Sequence, residues 1–524
     1  MNFISLLFTP TPIENIVGKA LAPIIIQDTV PWYKKKHLLL LNFFLLAPLL
    51  SSATSGFDGS LMNGLQSLDT WKNRYDNPEG AMLGFVNAAM SLGCWMGAFL
   101  TSYCADRFGR RPCIIVGIIG VIICTVIQVT AKHLPQLCTA RWLLGIVAMF
   151  SGVPSPLLIT ELAYPSHRGK LTALYNTFYY FGAILASWSC YGVSKRIDDW
   201  GYKVPTLLQM GYPLFQLIIV WGLPESPRWL VSKDRYSEAK AVLVKYHAGG
   251  DENSELVNIE ISEIVEAIEL EKHSKSTSWS ELLKTPGNRH RTFITLSFTV
   301  FAQWCGNAVI SYYFTLVLDT IGYKGAGTQT LINGLLQIFN FAAAIFAAMM
   351  VDKLGRRVLL LWSSVGMLIS YIIWTVLSER FNVTQGKAYG QSVLAFIFIF
   401  FFHYDIAFTP LIISYISEIF PFYLRSKGVA LAQSTTYAAL AVAQFCNSIA
   451  MGKLEWKYYI LFCCIDAVIV VVIFFFYPET KGYSLEEIAE IFDGPNAALD
   501  IEEAEGKQKV SHSEFSVAES LDSN

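Results

Sequence analysis

Asp106-Arg107-Phe108-Gly109-Arg110-Arg111 lies between two long apolar runs, and Asp352-Lys353-Leu354-Gly355-Arg356-Arg357 lies between two more. One basic hexapeptide between membrane helices follows from topology alone. Its return at the corresponding place in the second half of a hydrophobic chain marks a duplicated bundle. The residue types are those such a turn requires. Glycine lets the backbone reverse sharply, arginines hold a loop on the cytoplasmic side, and aspartate caps or pairs locally. Duplicated helical halves are the organisation of transporters whose two parts are related by an axis along the membrane normal.

Composition agrees with a membrane bundle. Of 524 residues, 53% are hydrophobic and only 15% are charged, where a soluble protein carries roughly a quarter. The apolar residues gather in runs at about 38–57, 81–104, 112–131, 137–159, 171–193 and 204–223, then at about 291–317, 328–351, 358–377, 391–416, 428–450 and 457–477. A bilayer needs about 20 apolar residues per helix. The runs therefore predict an all-α membrane protein of twelve transmembrane helices in two six-helix halves, embedded in the lipid bilayer. A net charge of −2 argues against nucleic acid as a partner. The ten cysteines lie mostly inside apolar runs with no CxxC pair, which points to packing and to no metal or cofactor. No nucleophile–base or nucleotide-binding motif stands outside the runs, so an enzyme is not expected.

The chain divides into an amino-terminal segment 1–37, a first half 38–223, a charged stretch 224–290, a second half 291–477 and a tail 478–524. Met1 to Pro10 lacks the charged region of a signal peptide. Within the charged stretch, Asp234–His247 and Ser254–His273 carry apolar residues at helical spacing, which predicts short cytoplasmic helices. Ser484-Leu485-Glu486-Glu487 has capping-box spacing and predicts a further helix, and the acidic, serine-rich sequence from about Gly494 predicts disorder. Lys34-Lys35-Lys36-His37, both hexapeptides, Arg168/Lys170, Arg425/Lys427 and the charged stretch fall on one side of the predicted topology. The positive-inside bias makes that side, with both termini, cytoplasmic. The sequon Asn382-Val383-Thr384 then falls outside, as a candidate glycosylation site.

These motifs, with Glu161/Arg168-Gly169, Glu418/Arg425, Pro224-Glu225-Ser226-Pro227-Arg228-Trp229-Leu230 and Pro478-Glu479-Thr480-Lys481-Gly482, resemble the sugar porters of the major facilitator superfamily. Gly56-Phe57-Asp58-Gly59-Ser60, Glu161-Leu162-Ala163-Tyr164-Pro165 and Gln303-Trp304-Cys305-Gly306-Asn307 are similar to the fungal branch of lactose, cellodextrin and hexose permeases. The resemblance implies a central sugar site reached by alternating access, most readily at the plasma membrane.

Asp58 is the candidate for proton coupling. It lies about 30 Å up the first run at the helical rise, at a depth similar to Arg141 in the fourth. A charge in the apolar core is costly, so it normally has a partner or a task. Burial favours the neutral acid and a nearby guanidinium favours the carboxylate, so a change in their contact loads and releases a proton. In the family, the matching residues are associated with proton-linked sugar transport. A purely structural Asp58 at the outer interface is the bland alternative.

Asp106, Arg107, Arg110, Arg111, Glu161 and Arg168, with Asp352, Arg356, Arg357, Glu418 and Arg425, are expected to form inter-helix ion pairs that close the cytoplasmic face. Ordinary exposed pairs, worth under about 1 kcal/mol each, are the alternative. Asn176, Gln303, Asn307, Tyr312, Asn340 and Asp405 are candidates for the sugar, because hydroxyls need donors and acceptors. Gln303 and Asn340 match family sugar-binding positions, although Ala302 replaces the first of two glutamines; Asn176 stands where a sugar-binding glutamine is usual, and Asn307 is displaced by one position. Asp405 is open between hydroxyl binding, proton movement and structural pairing, and Asp466 has no assigned role. Ile412-Ile413 stand where the family has Pro-Trp and Thr436-Tyr437 where it has Asn-Trp, which alters the aromatic lid of the site. The resulting expectation is a proton-coupled symporter of a disaccharide such as lactose or cellobiose, or of a hexose. A non-transporting sugar sensor, a uniporter and a small-metabolite exporter remain open.

Overall fold

The computed structural model describes residues 23, 25, 31–274, 278–481, 483 and 485–494. The expectations at Ser484 and beyond Gly494 lie outside them, as does the side chain of Asp352. Twelve long helices carry the apolar runs: α1 (Lys36–Ser67), α2 (Gly80–Phe108), α3 (Arg110–Thr130), α4 (Leu134–Leu162), α5 (Arg168–Val193), α6 (Trp200–Gly222), α7 (Pro286–Thr320), α8 (Ala326–Leu354), α9 (Arg356–Thr384), α10 (Lys387–Ile419), α11 (Phe422–Leu454) and α12 (Tyr458–Phe476). Ten stretches are long and apolar enough to cross a membrane, the last of which joins α11 and α12. Helix α5 does not qualify among them. Its Lys170, Asn176, Tyr179, Tyr180 and Ser187 make it too polar, for a reason that lies in the site below.

Several helices outrun their apolar sequence. α1 continues to Ser67 through buried Ser60, Asn63 and Gln66. α4 breaks at Val153-Pro154, since proline removes an amide donor. α7 breaks at Cys305-Gly306, where Gly306 is left-handed. Helices α1 and α5 approach at backbone distance: a side chain at Gly56 would overlap the Tyr179 carbonyl, and one at Gly182 the Ala53 carbonyl. Between the halves, helices run over Pro227–Ser232, Tyr236–Tyr246, Glu255–Ser274 and Glu281–Lys284. The tail helix Leu485–Asp493 docks on α7 by an Asp493–Arg291 ion pair of 2.7 Å.

The two hexapeptide turns have one construction. Gly109 and Gly355 adopt φ of +105° and +96°, a region closed to side chains with a Cβ at little cost. Beyond each glycine a new helix begins, and its free amides take a carboxylate from far along the chain. Glu225 accepts from the amides of Arg110 and Arg111 at 3.0 and 3.1 Å. Glu479 accepts from those of Arg356 and Arg357 at 2.8 and 3.1 Å. Arg111 donates to the Trp221 carbonyl and Arg357 to that of Phe474, each at 2.7 Å.

Candidate functional site: a polar cavity between the halves

A cavity of about 460 Å³ lies between the halves, within the usual range of small-molecule sites (about 300–1,000 Å³). All six candidate sugar residues, Asn176, Gln303, Asn307, Tyr312, Asn340 and Asp405, line it, as do Asp58 and Arg141. They come from α1, α4, α5, α7, α8 and α10, so the two halves build it jointly.

Asp58 and Arg141 are buried and meet with Nη1 to Oδ1 at 3.7 Å. Gln209 of α6 donates to Asp58 Oδ1 at 3.0 Å, and Arg141 Nε donates to the Val86 carbonyl at 3.0 Å. Asp58 Oδ2 and Arg141 Nη1 have no hydrogen-bond partner among the described residues. The pair is therefore close but loose, the geometry of a contact that can be made and unmade. Asp405 of α10 accepts from Tyr180 of α5 at 2.6 Å and from Thr409 at 2.9 Å. Ser311 donates to Asn307 at 2.9 Å, while Asn340 Oδ1 is buried without a partner.

Tyr179, Tyr180, Gln209, Gln337, Gln433 and Gln444 were not singled out by sequence, although all but Gln209 line the cavity. A usable signal existed for two of them. Tyr179 and Tyr180 fall three and four residues after Asn176, on the same face of a helix. Of the positions where the sequence departs from the family, Ile412 and Tyr437 line the cavity, whereas Ile413, at the place of the tryptophan, is exposed and Thr436 bonds its own helix at Ala432.

The ionic motifs lie away from the cavity. Arg110 pairs with Glu161 at 3.2 Å and, more distantly, with exposed Asp106 at 3.7 Å. Arg356 pairs with Glu418 at 2.9 Å, and Thr480 also donates to Glu418. Arg107 is exposed and donates to the Tyr103 hydroxyl at 3.0 Å. Arg168 turns away from the motif to Glu260 of the 255–274 helix, at 3.0 Å. Glu260 also meets His247, at 2.6 Å. Arg425 stands in the first turn of α11, half-buried. Each Glu161 and Glu418 pair joins helices of a single half, so neither bridges the two halves. Burial pushes Glu225 above the ordinary glutamate range, against the hydrogen bonds from the Ser226, Arg110 and Arg111 amides.

Bonds between the halves lie elsewhere. Asn63 donates to the Ile310 carbonyl at 3.4 Å, Gln66 to that of Tyr312 at 3.2 Å, and Ser67 shares a 3.0 Å bond with Thr315. Asn333 donates to Ser187 at 3.1 Å. All four are near the face opposite the hexapeptide turns and hold it closed, while Tyr180 to Asp405, Ser91 to Gln444 at 2.6 Å and Trp95 to Ser434 at 3.0 Å join the halves nearer the middle of their helices. Asn382 is exposed in the last turns of α9, with Thr384 bonded to the Arg380 carbonyl.

The sugar (and other) transporter family model matches residues 44–492. The chain is 28% identical over 467 residues to the high-affinity glucose transporter of Kluyveromyces lactis, covering 84% of this chain and 83% of that one. It is 28% identical over 464 residues to the glucose transporter mfs1 of Aspergillus flavus, covering 84% and 87%. The inward-open xylose transporter XylE of Escherichia coli superposes with a TM-score of 0.71 at 24% identity, over 86% of this chain and 99% of that one. With its duplicated turns, its twelve helices and its central cavity, the chain belongs to the sugar porter family of the major facilitator superfamily.

Proposed function

We propose that this transporter is a proton-coupled sugar symporter of the plasma membrane, with its hexapeptide turns and termini in the cytoplasm. The observation that carries the reading is the Asp58–Arg141 pair, buried at the wall of a cavity lined with amides and hydroxyls. A sugar ring binds by exchanging hydrogen bonds with those groups, and Gln303, Asn307 and Asn340 offer them from the second half while Asn176 offers them from the first. Closure of the opposite face in this state leaves the substrate to exchange with the cytoplasm. Reopening there requires the Asn63, Gln66 and Ser67 bonds to α7 to break. Alternating access is then rocking of two halves whose turns are each held rigid by Glu225 and Glu479.

A hexose or a disaccharide fits the reading. The relatives are named for glucose, and the aliphatic Ile412 at the cavity wall is smaller than an aromatic residue would be.

Uptake of labelled glucose, galactose, lactose and cellobiose by cells without their own carriers tests it, with external pH varied and wild type compared with Asp58→Asn. Symport predicts accumulation that falls at alkaline pH. In the variant accumulation disappears while counterflow survives. Accumulation indifferent to pH and to Asp58→Asn overturns the coupling. Binding without uptake turns the assignment to a sensor.

A further inference from the structure

Asp405 has a geometry that sugar binding alone does not account for. It is fully buried. Both of its hydrogen bonds, from Tyr180 at 2.6 Å and from Thr409 at 2.9 Å, arrive at Oδ1, while Oδ2 is enclosed without a partner. Asp58 has an arginine beside it, but no cation lies within ion-pair distance of Asp405 among the described residues. The titratable groups that face it are hydroxyls: Tyr179 and Tyr180 from α5 and Tyr404 from its own helix. From α7, Tyr404 is faced in turn by Tyr312. His403 points the other way, against Gly366 of α9. An ionised carboxylate with one bare oxygen is costly in such a place, and a proton on Oδ2 removes the cost.

Thr409 belongs to the same helix as Asp405, but Tyr180 belongs to the other half. The Tyr180 bond is therefore subject to the rocking motion and the Thr409 bond is not. Resting on the symport reading above, we propose that Asp405 is a second proton carrier, switched by Tyr180. With the hexapeptide-opposite face closed, as here, Tyr180 donates to Oδ1 and favours the carboxylate, so the proton on Oδ2 passes to water on the cytoplasmic side. When the halves part on the other face, Tyr180 withdraws, and Oδ2 takes a proton from external water. Each cycle then moves one proton on Asp58 and one on Asp405 with each sugar.

The test is the proton-to-sugar ratio in proteoliposomes, read from the sugar gradient that just balances an imposed pH gradient. The expected ratio is two for wild type and one for Asp405→Asn, which keeps the acceptor at Oδ1. Tyr180→Phe should keep the external-pH profile of the wild type, since Tyr180 is withdrawn when Oδ2 loads, and should need a more alkaline interior for half-maximal uptake, because the carboxylate loses the donor that favours release. If Asp405→Asn binds sugar but does not cycle, Tyr180→Phe decides: an unshifted internal-pH profile overturns the switch. A wild-type ratio of one, falling to zero in Asp58→Asn, overturns the second carrier and leaves symport standing. A wild-type ratio of zero overturns both.

Discussion

Glu225 stands to Arg110 as Glu479 stands to Arg356: each carboxylate accepts the first free amide of a helix begun by a left-handed glycine, at 3.0 and 2.8 Å. The repeat is thus one of three-dimensional construction as well as of sequence. It ties the exit of the sixth helix in each half back onto the turn between the second and third. Each half is thereby braced at its hexapeptide end.

Glu225→Gln should lower thermal stability by about 1–3 kcal/mol, the cost of weakening a charge-assisted pair of bonds. The pH dependence has a defined sign. Burial holds folded Glu225 above its ordinary value of 4.5, so in the window just above that value the folded state binds more protons. Its contribution is fully present below 4.5 and diminishes as pH rises through the folded value. Melting temperatures of detergent-solubilised protein across that window should show a downward component that Glu225→Gln removes.

Gly182→Val should abolish the assembled fold. The new side chain would overlap the Ala53 carbonyl, and a helix backbone cannot yield locally without parting α1 from α5. Size-exclusion chromatography should show loss of the monodisperse peak, while Gly192→Val, at a position with open space, should keep it.

His247→Ala should release the 255–274 helix from the membrane half. His247 is buried, with one ring nitrogen 2.6 Å from Glu260 and the other 3.1 Å from the Leu162 carbonyl. Removing it leaves Glu260 with Arg168 and strands a carbonyl, a loss of about 1–3 kcal/mol. Limited proteolysis should cut the 224–290 stretch faster in the variant, and identical cutting rates would refute the assignment.

Ile412→Trp should shrink the cavity and shift preference from disaccharides to monosaccharides. The measurement is competition by cellobiose against labelled glucose, where the variant should require at least several-fold more cellobiose. Equal competition would show that Ile412 does not limit substrate size.

The fold was legible because lipid imposes one rule on every span, and the duplicated turns announced where the halves divide. The site was legible where charge made it so: Asp58 and Arg141 stand out in apolar runs, and the structure places them 3.7 Å apart. Tyr180 and Gln209 did not stand out, since a tyrosine or glutamine serves equally to pack, to bond a neighbouring helix or to face a cavity. The partner of Arg168 was hidden for a different reason. Glu161 was near in sequence, but a 3-10 turn over Pro165–His167 swings Arg168 towards Glu260, ninety-two positions along the chain.

The polarity of α5 has a consequence for how the protein is made. A helix carrying Asn176, Tyr179, Tyr180 and Ser187 has little drive of its own to leave the translocon for lipid, because each polar group must find a partner there. Its complement, the glycine-lined flank of α1, emerges from the ribosome more than a hundred residues earlier. Integration of α5 therefore depends on α1 waiting beside the exit, so the polar groups that α5 turns to the interior of the finished protein set the order of assembly during synthesis.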